Sequence, residues 1–108
     1  MPDAVYALNL FNVADKAEYL AYSRRSAAEV GKHGGRVVAL GKFREAEVGD
    51  IAPRNVLILV EWESRQAFDN YCNDPAIADL HGHREAGTDD YIWHLFDKLV
   101  DLRPILKS

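Results

Sequence analysis

The hydrophobic positions change period several times along the chain, and the changes divide it into elements. From about Ala4 to Asn12, alternation puts Tyr6, Leu8 and Leu10 on one side and Val5, Ala7, Asn9 and Phe11 on the other. This predicts a strand that is largely apolar on both faces. Asp15-Lys16-Ala17-Glu18 then reads as a capping box with aspartate as the cap, its carboxylate accepting from a first-turn amide while Glu18 reaches back. The helix so opened carries Leu20, Ser23, Ala27 and Val30 at spacings of three and four, a narrow stripe suited to close packing on a sheet. Gly31, Gly34 and Gly35 bracket its end.

Alternation resumes from Arg36 to Arg44, with Val37, Ala39, Gly41 and Phe43 expected on one side and Val38, Leu40, Lys42 and Arg44 on the other. Glu45 to Pro53 is a polar connection, and Pro53 cannot donate to a ladder, so the next strand starts beyond it. Val56 to Trp62 is the clearest strand: Val56, Ile58, Val60 and Trp62 share one face, Leu57 and Leu59 the other. Ser64 caps a second helix through Phe68, Tyr71 and Cys72, and Asp74-Pro75 starts a further turn or short helix through Ile77 and Leu80. Residues 91–102 fit both periods. Strand propensity from Tyr91 to Phe96 favours a fourth strand from about Asp90 to Phe96, with a tail that coils helically before Pro104.

The order strand, helix, strand, strand, helix, strand predicts an α+β ferredoxin-like βαββαβ fold, a four-stranded antiparallel sheet with two helices on one face. Two helices leave the other face bare, and strands one, three and four are apolar there too. Soluble monomers rarely expose so large a patch, so a second copy is the expected cover, giving a homodimer in the form of a dimeric α+β barrel.

Composition narrows the picture. The 108 residues suit a single domain over residues 1–108, with about 98–108 as a C-terminal extension. A hydrophobic share of 48%, a charged share of 28% and a mean hydropathy of -0.25 are those of a globular chain. Thirteen basic against seventeen acidic residues, a formal charge of -4, argue against nucleic acid or an anionic membrane as partner. The lone Cys72 has no intrachain partner, no run approaches a membrane span, and Met1-Pro2-Asp3 lacks the basic flank of a signal peptide; a cytoplasmic location is expected.

With the elements in place, the chain resembles the domain-of-unknown-function family numbered 1330, within the dimeric α+β barrel superfamily. The likeness runs through about residue 96. It rests on Asp15 through Tyr22, on His33-Gly34-Gly35-Arg36, on Glu47-Val48-Gly49-Asp50 before Pro53-Arg54, on Val56 to Trp62 with the Phe68 to Tyr71 helix, and on Asn73-Asp74-Pro75. His81-Gly82-His83 and the tail from Lys98 depart from it. These motifs are turns, caps and core features, so the resemblance implies architecture and dimerisation but no substrate. Superfamily relatives include cofactor-independent monooxygenases, isomerases, degradative enzymes and haem-handling proteins, with pockets between helices and sheet.

Candidate chemistry is sparse. His81 and His83, two apart, diverge by about 200° on a helix and make a poor chelate, so no metal and no cofactor is expected. Asn9 and His94 interrupt apolar strands, and a polar group buried there needs a partner or a ligand. They are the candidate catalytic residues. Trp62 and Arg44 are candidate pocket lining, and Arg36 or Arg84 a candidate anchor for the carboxylate of a small acid. Tyr19, Tyr22, Tyr71 and Tyr91 read as packing residues, and Cys72, near Asp69 and Asp74, as a poor nucleophile. Two functions follow: binding or transformation of a small organic molecule between helices and sheet, or a noncatalytic dimeric module. Cofactor-free monooxygenase, isomerase and haem-handling activities are more specific forms of the first.

Overall fold

The computed structural model describes residues 3–107; Met1 and Pro2, part of the signal-peptide reading, lie outside them, as does Ser108. The elements are β1 (Val5–Val13), α1 (Lys16–Lys32), β2 (Gly35–Lys42), β3 (Val56–Trp62), α2 (Arg65–Asn73), a 3₁₀ turn (Pro75–Ile77), α3 (Ala78–Gly87), β4 (Thr88–Asp97) and the short α4 (Arg103–Leu106). The four strands form one antiparallel sheet in the order β2-β3-β1-β4, the expected ferredoxin-like α+β arrangement.

The caps act as anticipated. Asp15 accepts from the Glu18 amide at 3.1 Å, and Ser64 from the Ala67 amide at 3.0 Å. The second helix ends at Asn73 and Asp74 caps a 3₁₀ turn, as the Asp74-Pro75 signal predicts, but the chain then runs on past Leu80 as a ten-residue α3 to Gly87. α3 ends tight against the start of α1. The Gly87 carbonyl accepts from Ala14 and Asp15, and a Cβ on Gly87 would lie 2.7 Å from the Tyr19 backbone nitrogen, so only glycine permits this approach. The 91–102 ambiguity resolves as strand through Asp97. The helical tail segment begins at Arg103 rather than ending before Pro104, because a proline fits the first helical turn, where no amide donor is needed.

Two irregularities alter which side chains face which layer. On β2, Val37 pairs with Val60 but Ala39 with Leu59, so Val38 is the extra residue of a bulge. Val37 and Leu40 therefore share the helix side of the sheet, correcting the strict alternation read from Arg36 to Arg44. On β4 the pairing slips between Leu10↔Ile92 and Asn12↔Asp89, and Asp90 there takes the left-handed φ of 52°. Aspartate tolerates that conformation better than most residues, and the Asp90 carbonyl is held by Arg54 Nε at 2.9 Å.

The core lies between helices and sheet: Val5, Ala7, Val60 and Trp62 of the strands pack with Val30, Ala67, Tyr71, Ile77 and Leu80. Leu20, expected in the inward stripe of α1, is half exposed at 50%. The opposite face carries Leu8, Leu10, Leu57, Leu59, Ile92 and Phe96, aligned by pairing. At one end of that face Glu61 accepts from Arg36 at 3.0 Å and from Lys98 at 2.9 Å. The thinnest extent, 18 Å, is that of one sheet and one helical layer.

Candidate functional site

A cavity of about 350 Å³ opens between α1 and the helix side of the sheet. Its size is at the lower end of the roughly 300–1,000 Å³ of small-molecule sites. Seven aromatic residues contributed by five elements line it: Phe11 of β1, Tyr19 and Tyr22 of α1, Trp62 of β3, Tyr71 of α2, and Tyr91 and Trp93 of β4. Ser23, Ser26 and Ala27 of α1 and Val37 and Leu40 of β2 complete the rim. Leu40, on the edge strand β2, is 73% exposed.

The aromatic contacts close into a circuit. Tyr91 stacks on Phe11 at 5.0 Å, Phe11 meets Tyr19 at 5.3 Å, and Tyr19 meets Tyr22 at 5.6 Å. Tyr22 and Tyr71 touch through their hydroxyls at 3.4 Å, and Tyr71 packs on Trp62 at 5.0 Å. Phe68 then bridges Trp62 and Trp93 edge-on, and Trp93 returns to Tyr91 at 6.0 Å. Such pairs add roughly 0.5–1.5 kcal/mol each beyond area burial, so the wall is a rigid frame.

Asn9 sits in this wall and is satisfied. Its Nδ2 donates to the Ile58 carbonyl at 3.1 Å and the Ala7 carbonyl at 3.3 Å, and its Oδ1 accepts from the Tyr91 hydroxyl. Burial pushes the Tyr19 phenol up to about 12 and raises Tyr71 and Tyr91 as well, each with a smaller contribution from neighbouring Tyr22. These tyrosines are neutral hydrogen-bonding groups at physiological pH. Among the described residues lining the cavity, none is charged and none is histidine.

A second layer braces the frame. The Arg84 guanidinium lies 4.5 Å from the Trp93 ring centroid and donates to His81 Nδ1 at 2.7 Å, while His81 Nε2 donates to the Tyr71 carbonyl at 3.1 Å. That arrangement requires neutral His81, and burial lowers its pKa accordingly. Arg84 thus links two cavity walls without lining the cavity. Behind Tyr71, His33 donates from both ring nitrogens, to the Glu29 carbonyl at 2.7 Å and to Asp74 Oδ2 at 2.9 Å, and packs edge-on against the ring. The double donation is that of an imidazolium, and the Glu29 carbonyl followed by Asp74 raises the His33 pKa.

Of the residues singled out in the sequence, Asn9 and Trp62 meet in the cavity. His94 does not: it pairs across from Leu8 on the bare face, whereas Asn9 pairs across from Trp93, so the two occupy opposite sides of the sheet. Arg36 is on the bare face with Glu61, and Arg44 lies beyond β2 with its side chain 92% exposed. His83 bonds Glu18 at 3.0 Å, away from His81. Burial raises the Cys72 thiol pKa above its ordinary value. What the residue pattern did not yield is the tyrosine wall; Tyr19, Tyr22 and Ser26 at spacings of three and four were its signal.

Among the described residues, the buried side-chain polar atoms with no hydrogen-bond partner are Trp62 Nε1 and Trp93 Nε1. Leaving such a donor unmade costs roughly 1–3 kcal/mol. Both belong to the cavity wall.

Residues 4–95 match the family model described as domain of unknown function (DUF1330). The chain belongs to the DUF1330 family. A search of the curated proteins found no match. Among solved structures, this DUF1330 chain is similar to the RPA0582 protein of unknown function from Rhodopseudomonas palustris, at 23% identity and a TM-score of 0.82, covering 94% of this chain and 86% of that one. It is similar to SnoaB, a cofactor-independent oxygenase from Streptomyces nogalater, at 22% identity and a TM-score of 0.65, covering 94% and 98%. It is also similar to a dimeric protein of unknown function and ferredoxin-like fold from Bacteroides fragilis, at 12% identity and a TM-score of 0.55, covering 89% and 97%. At these identities the likeness is one of fold. No helix among the described residues is long and apolar enough to cross a membrane.

Proposed function

We propose that this DUF1330 protein binds a small organic molecule in the cavity between α1 and the sheet, as a cytoplasmic homodimer built from single-domain chains in which residues 98–108 form an extension. The observation that carries the reading is the aromatic-framed cavity of about 350 Å³. Its walls bind and orient; with Asn9 fully paired and the buried tyrosines neutral, they offer no base poised near neutral pH. Any transformation therefore draws on the reactivity of the bound molecule itself; SnoaB, similar in fold, is a cofactor-independent oxygenase. A carboxylate is not the favoured ligand, since neither Arg36, Arg44 nor Arg84 lines the cavity.

The homodimer rests on the apolar rows Leu8, Leu10, Leu57 and Leu59 of the bare face, and on the dimeric Bacteroides fragilis protein of similar fold. Pairing through that face leaves the cavity, on the other side of the sheet, open to ligand.

The test is titration with naphthalene-sized aromatic compounds, read by emission of the two tryptophans. Saturable quenching is expected. Ala27→Phe at the rim fills the mouth and abolishes it while circular dichroism stays native. Quenching that persists in Ala27→Phe places binding elsewhere and sinks the reading.

A further inference from the structure

Two connections at opposite ends of the sheet expose apolar side chains that neither the cavity nor the sheet rows account for. The β2–β3 loop, residues 43–55, carries Val48 at 93% exposure, with Phe43 and Ile51 exposed beside it. Together with Leu10 and Pro53 these side chains line a groove of about 500 Å³. Leu10 belongs to the bare face, so the groove is continuous with the surface proposed to pair. The tail departs at the other end of β1: the Lys98 amide donates to the Ala4 carbonyl, and Lys98 Nζ donates to Glu61 of the same face. Beyond it Val100 is 98% exposed, and Leu102, Ile105 and Leu106 are exposed as well. Among the described residues, none of the tail lines the groove of its own chain.

The two ends also differ in charge. Residues 45–53 hold Glu45, Glu47 and Asp50 and no basic residue, whereas residues 98–107 hold Lys98, Arg103 and Lys107 against Asp101. A face-to-face homodimer has its twofold axis between the sheets, and two aligned arrangements follow. An axis along the strands brings like ends together, acidic loop on acidic loop and basic tail on basic tail. An axis across the strands lays each tail beside the partner's loop, which sets opposite charges together and covers apolar side chains on both.

We infer that in the homodimer the C-terminal tail of each protomer docks in the β2–β3 loop groove of a second copy of this chain, with Val100, Leu102 and Leu106 as its apolar contacts. The inference rests on the homodimer reading and adds the orientation of the two copies.

Cross-linking between chains tests it. In a Cys72→Ser background, Val48→Cys and Leu106→Cys chains carrying different tags are co-expressed, treated with a flexible bismaleimide and separated under denaturing conditions. Val100→Cys replaces Leu106→Cys as a second tail probe. All three positions are exposed, so the substitutions leave the fold intact. A mixed covalent dimer of loop and tail variants is expected, with little product from either variant alone. Products from like variants alone overturn the inference, because they show like ends meeting. So does a species that sediments as a dimer and yields no mixed product with either tail probe. An internal cross-link in the Val48→Cys/Leu106→Cys double variant, without linked dimer, assigns the tail to its own loop and also overturns it. A second measurement reads the charges at low salt. Lys107→Glu is expected to weaken dimerisation about two- to fivefold, the range of an exposed ion pair, and Glu47→Lys in the same chain to restore it. Tighter dimerisation of Lys107→Glu is the signature of tail on tail and overturns the inference. A parent chain that sediments as a monomer overturns this inference and the homodimer reading together, and leaves cavity binding to its own test.

Discussion

The two faces of the sheet are cut from the same strands, residue by alternating residue, yet they differ in kind. The helix side carries aromatic rings, Asn9 and two unpaired indole donors around a cavity. The bare side carries mainly aliphatic rows, with Tyr6, His94 and Phe96 among them and one charged network, Arg36–Glu61–Lys98, at an end. Aliphatic side chains of similar length make a surface that a second copy can cover smoothly. Rings propped edge to face cannot collapse fully and leave space. On the proposed reading, hydrophobicity alone does not separate an interface from a binding site; the shape and hydrogen-bonding capacity of the side chains do.

The largest expected effect tests the frame of the cavity side. Trp62→Ala removes a ring in contact with Tyr71 and Phe68, and should destabilise the protein by about 3–5 kcal/mol in urea unfolding. A loss below about 1 kcal/mol would mean that the circuit is ornamental. Next comes Gly87→Ala, which forces a methyl group against the Tyr19 backbone; a cost of about 1–3 kcal/mol is expected, with weakened ligand binding because α1 carries part of the wall.

On the other face, Leu59→Lys should leave each protomer's own stability within about 1 kcal/mol, yet convert the dimer to monomer in sedimentation. Cavity binding should survive it. Loss of tryptophan quenching in that monomer would show that the two faces are not independent.

The smallest effect sharpens the contrast by pH. His33 has its pKa raised above its ordinary 6.5 by the Glu29 carbonyl and Asp74, so its stabilising contribution is fully present below about 6.5 and is lost as pH rises through the higher folded value. Asp74 is lowered, chiefly by the Ala76 amide and then by His33, so its contribution holds above its ordinary 3.8 and is lost as pH falls through the lower folded value. His33→Gln should therefore be less stable than the parent at pH 6, with the gap narrowing toward pH 9. A gap that does not change between the two would show that His33 acts as a neutral ring. Bare-face variants such as Leu59→Lys should show no such narrowing.

Much of this architecture was legible along the chain. The caps at Asp15 and Ser64, the breaks at Gly34 and Pro53 and the alternation in β1 and β3 follow from local chemistry, because each depends on residues within a turn of one another. The candidate site was less so. Asn9 and His94 looked alike as polar breaks in apolar strands, but strand register put them on opposite faces. Arg84 looked like a surface anchor and is instead 8% exposed behind Trp93, on a helix that runs ten residues from Ala78. The Val38 bulge, which turns Leu40 to the cavity rim, leaves no mark in the residue pattern, since valine suits a regular strand as well.

What the sequence determined by itself, then, is the order of elements, the ferredoxin-like fold and the surplus of apolar surface, all consequences of period and capping. The tertiary structure alone decided the site. Seven rings from five elements, separated by up to eighty-odd residues as Phe11 is from Trp93, become one wall only once β4 is laid beside β1 and α1 packs on the helix side of the sheet. Whether an indole N–H finds a partner is likewise a property of that packing, and no residue carries it in isolation.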